Sequence, residues 1–369
     1  MFKHALYVAL AFCLAALFLF KYSFALDNIV RPYQSVRSSG MGGVRLTTGV
    51  YDENFFANPG RVTENPNWKI QAFDLNLEST FATVKNISSL LNGGDQILNN
   101  LGSTAGKNNH LRIQTTFPGV YIPKEKMSYA IALVSSTQTD VDLRKSFNIE
   151  PLAITDIGPA FTVGRKFLEA DELSVGLTAH VTYRLASKSN FTFIDLIKGL
   201  SLSPLKSGGE GAHLEFDLGS TYKLPWHPLD WDYSVALAFN NLLGGKYKNL
   251  PISIFKLGPP APQPRTMGLG VAARKSEVWK FGETVLAFEL TDIGNNPNGS
   301  IFRWMHLGGE TNYGILSPRL GINQGYLCLG FGLNLKFFEL DLSTYGEEMS
   351  LNAGGLEDRR FALRMSFQI

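Results

Sequence analysis

The sequence predicts an all-β chain, a transmembrane antiparallel β-barrel of about 14 strands. Three observations predict it. Apolar and polar residues alternate with period two over long stretches, the connections between those stretches alternate between long and short, and no apolar helical span follows the first 25 residues.

The N-terminus is set apart first. Lys3 and His4 open the chain with positive charge, Ala5 to Phe20 is an unbroken apolar run, and Lys21 ends it. Ser23-Phe24-Ala25 then offers small residues where a signal peptidase reads. A 16-residue helix reaches about 24 Å, short of the ~30 Å hydrocarbon core, which disfavours a retained anchor. Residues 1–25 are therefore expected to be a signal peptide cleaved near Ala25, and the destination a bacterial outer membrane. A lipoprotein signal at Cys13 is disfavoured, because Cys13 follows Phe12 inside the apolar run. Once residues 1–25 are removed, Cys328 is the only cysteine, so no disulfide forms within the chain.

The strands come next. From Leu173 to Leu185 the odd positions are Leu173, Val175, Leu177, Ala179, Val181, Tyr183 and Leu185, and the even ones are polar or small. Ala212 to Leu224 repeats the pattern, with Leu214, Phe216 and Leu218 on one face and His213, Glu215 and Asp217 on the other. Phe361, Leu363, Met365, Phe367 and Ile369 close the chain in the same way. Successive side chains of a strand point to opposite faces, so each run has one continuous apolar face. Such runs suit tilted membrane strands of about 9–11 residues better than soluble strands of about five or six. The pattern places strands at 67–78, 110–121, 126–136, 158–167, 172–187, 211–224, 230–242, 264–275, 282–291, 300–310, 316–323, 325–335, 337–345 and 359–369. Connections run long at 79–109, 137–157, 188–210 and 243–263 and short between them. With both ends periplasmic, the long ones fall outside the cell, as outer-membrane barrels require. Aromatic residues near strand ends, among them Trp226, Tyr233, Trp279, Phe337 and Tyr345, suit interfacial girdles.

Composition narrows the function. A net charge of +2 is too balanced for a nucleic-acid binder. Gly268-Leu269-Gly270-Val271-Ala272-Ala273 mimics a nucleotide-binding loop but lies within a strand. The histidines after residue 25 are scattered without ligand spacing, and no hydrolase or phosphate-loop motif occurs. The chain is expected to be no enzyme and to need neither metal nor cofactor.

Residues 26–66 differ from the rest. They contain Ser38-Ser39-Gly40-Met41-Gly42-Gly43-Val44, then Thr47-Thr48-Gly49, then Phe55-Phe56-Ala57-Asn58-Pro59-Gly60. This stretch resembles the opening of the FadL superfamily, which includes long-chain fatty acid transporters, aromatic-hydrocarbon channels and PorV-type secretion proteins. Leu307-Gly308-Gly309-Glu310, Arg319-Leu320-Gly321-Ile322-Asn323-Gln324-Gly325 and Leu329-Gly330-Phe331-Gly332 extend the likeness and look closer to the PorV-like branch. The resemblance implies that 26–66 is a hatch inside a barrel formed by 67–369, with Gly40, Met41, Gly42, Gly43, Asn58, Pro59 and Gly60 as its signature. Closely spaced glycines permit tight backbone in a crowded lumen, and Pro59 cannot donate to a ladder.

Function is then read from the loops. Phe191, Ile194, Ile197 and Leu200 recur at helical spacing in an external connection, a pattern that could gather apolar ligands. The proline-rich Gly258-Pro259-Pro260-Ala261-Pro262-Gln263-Pro264 is stiff and extended, suited either to bracing the mouth or to meeting a partner. Arg184, Glu215, Asp217, Lys223, Glu289, Glu339, Asp341 and Arg364 face inward, where charges need partners. The expected function is passive passage of hydrophobic or amphipathic small molecules, gated by the hatch. The alternative is a PorV-like scaffold that binds exported proteins. Outer-membrane lipid surrounds either, and the barrel-assembly machinery is expected to engage the C-terminal strand.

Overall fold

Lipid offers no hydrogen-bond partners, so a membrane-spanning sheet must satisfy every backbone group within itself, and only closure achieves that. The computed structural model describes residues 31–84, 107–143, 149–168, 170–188, 208–251, 253–278, 282–295, 300–350 and 354–369. The first 25 residues, and the candidates Phe191, Ile194, Ile197 and Leu200, lie outside the described residues.

The strands in chain order are β1 (Lys69–Thr80), β2 (Lys107–Thr115), β3 (Gly119–Ile122), β4 (Met127–Leu143), β5 (Ile149–Phe167), β6 (Leu173–Lys188), β7 (Gly208–Lys223) and β8 (Asp232–Asn240). They continue as β9 (Thr266–Lys275), β10 (Thr284–Ile293), β11 (Met305–Thr311), β12 (Leu316–Asn323), β13 (Tyr326–Asn334), β14 (Phe338–Glu348) and β15 (Glu357–Gln368). Each pairs antiparallel with its neighbours, and β15 returns to β1. At that seam Leu75 faces Met365 and Leu77 faces Leu363. β2 and β3 both lie between β1 and β4, separated by Thr116–Pro118, and together make a single pass. The result is a closed barrel of 14 passes.

Some sequence expectations need correction. The connection read at 137–157 is mostly strand, because β4 and β5 stay paired from Met127↔Arg165 to Leu143↔Ile149. Its Gln138, Asp140 and Asp156 look like loop residues, but they alternate inward and are buried. Second, 301–304 forms a 3-10 turn, so β11 starts at Met305.

The outer face is apolar: Leu214, Val271, Leu286, Leu307 and Leu320 all stand exposed along the wall. The inner face is polar and crowded, with Gln114, Asp140, Arg184, Glu215, Glu289, Arg319 and Asp341 buried. This inversion of the usual core suits a protein whose solvent on the outside is hydrocarbon. Tyr345, grouped by sequence with the girdle, points into the lumen instead and is buried, whereas Phe337 is exposed at its strand end.

The lipid belt gives a direct test. Leu320 sits mid-strand and is 57% exposed. Leu320→Arg is expected to destabilise the barrel by roughly 2–4 kcal/mol in reversible unfolding from lipid bilayers. A change within about 0.5 kcal/mol, as at an ordinary water-facing site, would contradict a lipid-facing wall.

Candidate functional site

Residues 31–66 run through the lumen. The segment contains helix α1 (Val36–Gly40) and 3-10 turns at Tyr51–Phe55 and Pro59–Glu64. Ser35 caps α1 by accepting from Ser38 N, and Asn58 caps the last turn by accepting from Gly60 N, with Pro59 at the first position. Small polar caps followed by proline satisfy backbone donors that have no helical partner. This is what the Asn-Pro-Gly signature does locally.

Glycines of the wall seat the segment. Gly308 and Gly321 are paired neighbours on β11 and β12, and Gly330 lies close by on β13. A Cβ on Gly308 would stand 1.9 Å from Met41 O, one on Gly321 2.3 Å from Gly42 N, and one on Gly330 2.8 Å from Gly40 Cα. On the opposite side Gly164, Gly176 and Gly219 form a row across β5, β6 and β7. Cβ atoms there would meet Val62, Pro59 O and the Asn58 side chain at 2.1–2.5 Å. The N-terminal backbone thus rests directly on the backbone of the wall in two places. Gly42 itself has φ +71, a conformation costly to other residues.

Between the two rows, Glu289 on β10 takes the segment by its backbone. Its Oε2 accepts from Arg45 N at 2.7 Å and Leu46 N at 2.9 Å. Its Oε1 accepts from Thr47 N at 2.8 Å and Thr47 Oγ1 at 2.7 Å. Ion pairs complete the attachment. Arg31 meets Asp292 and Glu347, both at 2.9 Å, and Arg37 meets Glu310 at 2.8 Å and Glu53 at 3.0 Å. Arg364 reaches Asp74 at 2.7 Å and Asp52 at 3.2 Å. Each such buried pair is compensated within the lumen, and removing one partner of a buried pair typically costs about 3–5 kcal/mol. Burial lowers the Arg45 guanidinium and holds that of Arg61 down, to about 10.

Every inward charge singled out by sequence has a partner. Arg184 pairs with Asp156 at 2.6 Å, Lys223 with Glu64 at 2.6 Å, Glu339 with Lys69 at 2.9 Å, and Asp341 with Arg319 at 2.6 Å. Glu215 accepts from Leu243 N at 2.6 Å and Gly245 N at 2.5 Å, and Asp217 accepts from Asn241 N at 2.7 Å. The last three bonds draw the β8–β9 connection onto the mouth. Tyr247 stacks on His213 with ring centroids 4.2 Å apart, and the Arg184 guanidinium lies 5.0 Å from its ring. Burial raises the Tyr247 phenol well above its ordinary value. The proline-rich stretch therefore braces the mouth, with Pro260 packed against Gly209.

Among the described residues, two small cavities lie in the lumen. One cavity of about 40 Å³ is lined by Arg31, Tyr33, Arg45, Leu46, Phe56 and Met267 among others. A second, of about 10 Å³, lies among Asp156, Gly158, Pro159, His180 and Thr182. Pro32 and Phe56 line both. The Phe56 ring meets His180 edge-on at 5.0 Å and Tyr33 face-on at 6.2 Å. Beside the smaller cavity the β5–β6 ladder is interrupted. Ile157 pairs with Tyr183 and Ala160 with His180, but Gly158 and Pro159 have no partner on β6.

Solved structures with a similar arrangement include the CymD monoaromatic hydrocarbon channel, at TM-score 0.50 and 12% identity over 90% of this chain and 96% of that one. The Ralstonia pickettii toluene transporter TbuX aligns at TM-score 0.52 and 9% identity, over 93% of this chain and 99% of its own. A TodX monoaromatic hydrocarbon channel mutant aligns at 0.50 and 10%, over 91% and 98%. The chain shares their fold. Its closed barrel agrees with the architecture that the sequence resemblance implied. No family model and no curated protein matches it.

Within this barrel the sequence signature divides cleanly. Gly40, Met41 and Gly42 meet the β11–β13 glycines, Gly43 meets His306, and Asn58, Pro59 and Gly60 meet the β5–β7 row. Sequence reading missed Glu289 as an acceptor for the N-terminal backbone, and missed Arg31, Arg37 and Phe56. Arginines spaced through a Gly-rich entry segment were the available signal for the first two. Phe56 was hidden inside a motif read for its neighbours.

Glu289→Ala is expected to leave the amides of Leu46 and Thr47 without acceptors, so that their hydrogen exchange accelerates at least roughly tenfold, equivalent to about 1.4 kcal/mol. Glu289→Gln should keep much of the protection. Unchanged exchange in the alanine variant would remove Glu289 as an anchor.

Proposed function

We propose that the chain is a passive outer-membrane channel for hydrophobic small molecules, closed in this state by residues 31–66 acting as a hatch. The reading rests on a single observation: two cavities among the described residues abut Pro32 and Phe56, and the smaller one lies beside the interrupted ladder at Gly158–Pro159. An apolar cavity that admits benzene measures about 150 Å³. Neither cavity, at about 40 and 10 Å³, admits such a molecule until something moves.

The anchored parts of the hatch are poor candidates for that movement. The glycine rows, Glu289 and the ion pairs hold Arg37–Thr48 and Asn58–Val62 to the wall. Phe56 is held by ring contacts and by one bond from Asn240 Nδ2 to its carbonyl, at 3.1 Å. A turn of that ring joins the two cavities and opens a path from the mouth toward the interrupted ladder at Gly158–Pro159. Passage is driven by the solute's own gradient and partitioning, with no nucleotide and no covalent step. The similar barrels are described as hydrocarbon channels or a toluene transporter, and that description supports a small apolar cargo here.

A second reading is a PorV-like scaffold that binds exported proteins and transports no small molecule. The tightly ion-paired lumen favours it, because a permanently filled barrel needs no opening.

Liposomes carrying the chain are expected to take up labelled toluene or a long-chain fatty acid faster than empty ones, with Phe56→Ala several-fold faster again. Uptake equal to that of empty liposomes for every apolar solute, by both proteins, would discard the channel. Co-purification of exported proteins under the same conditions would then support the scaffold.

A further inference from the structure

The β8–β9 connection, residues 241–265, contains Lys246, Lys248, Lys256 and Arg265 and no acidic residue. All four cations are exposed, and none enters an ion pair among the described residues. The same connection exposes Leu242, Leu243, Ile254 and Phe255. A solvated loop gains nothing from large apolar side chains set among unpaired cations.

β7 decides which way these residues face. Ala212 and Lys248 exchange two backbone hydrogen bonds, each of 2.9 Å, and Glu210 N donates to Gly258 O at 2.8 Å. The connection thereby prolongs the wall beyond the end of β8. Directly paired residues of antiparallel strands project to the same face. Ala212 shares its face with the exposed Leu214, so Lys248 projects outward, and alternation sends Lys246 outward with it. Tyr247 correspondingly points inward onto His213.

Glu210 fixes the tip. It lies on the same outward face and is wholly buried, its carboxylate accepting from the Tyr183 hydroxyl, from Ile254 N at 2.6 Å and from Phe255 N at 2.9 Å. Ile254, Phe255 and Lys256 are thus held on the outer flank of the barrel, at the end carrying the long connections. Ile254 is 72% exposed there.

We propose that this flank binds phosphate-bearing lipid headgroups in the leaflet around that rim. Ile254 and Phe255 enter the acyl boundary, while Lys246, Lys248 and Lys256 meet the phosphates. Apolar residues flanked by cations are the recognised chemistry of an anionic membrane interface. The inference concerns the lipid around the barrel and stands whether the lumen carries a solute or a scaffold role.

The full chain in neutral detergent, given micelles doped with equal phosphatidic acid and phosphatidylcholine, can be weighed by native mass spectrometry to count retained lipids. Phosphatidic acid is expected to be retained at roughly fivefold preference. The triple variant K246Q/K248Q/K256Q should fall to parity while keeping the wild-type heat-shifted mobility on gels. Ile254→Ser should shorten retention without abolishing the preference. Parity in the wild type, or an unchanged preference in the triple variant, overturns the proposal. Loss of the preference on adding equimolar inorganic phosphate overturns it too, in favour of a free-anion site.

Discussion

Hydrogen-bond closure in a solvent that cannot hydrogen-bond is the constraint from which the rest follows. Because lipid satisfies no backbone group, β15 has to return to β1, and the sheet has no free edge to expose. Closure makes two surfaces with opposite requirements. The outer one must be apolar and needs no specific partners, which is why leucines, valines and phenylalanines serve there almost interchangeably. The inner one is cut off from lipid, and the side chains that fill it must satisfy each other.

That division explains why the interior reads as an inverted core. Charged residues on alternate wall positions are buried but matched, as with Arg184 and Asp156 or Arg319 with Glu310 and Asp341. A polar lumen of this kind draws in any backbone that can offer donors. Glu289 receives the N-terminal segment through three amides and a hydroxyl, and Glu215 and Asp217 receive the β8–β9 connection through amides of their own. Carboxylates on the wall serve repeatedly as acceptors for incoming main chain, with charge-assisted bonds stronger than neutral ones.

The likeness to FadL-type proteins acquires a physical meaning in this arrangement. Its two separated parts, the Gly-Met-Gly-Gly opening and the glycine-bearing motifs of the C-terminal third, are the two sides of one contact. Gly40–Gly42 lies on Gly308, Gly321 and Gly330, and Arg37 beside them pairs with Glu310 of the same motif set. Substituting bulk on either side would force backbone apart, so the motifs answer to each other.

Much was legible in the sequence. Period-two alternation determined the strands, their facing and the closed all-β architecture, because each strand must show lipid one face and the lumen the other regardless of its neighbours. It failed where inward charges are dense: Gln138, Asp140 and Asp156 mimic loop composition while continuing β4 and β5. Which residues meet across the lumen was decided only by the tertiary structure. Glu289 under Thr47, Phe56 between the two cavities and Glu210 beneath Ile254 join positions far apart along the chain. No local periodicity encodes such meetings, since they depend on where curvature and register bring opposite walls together.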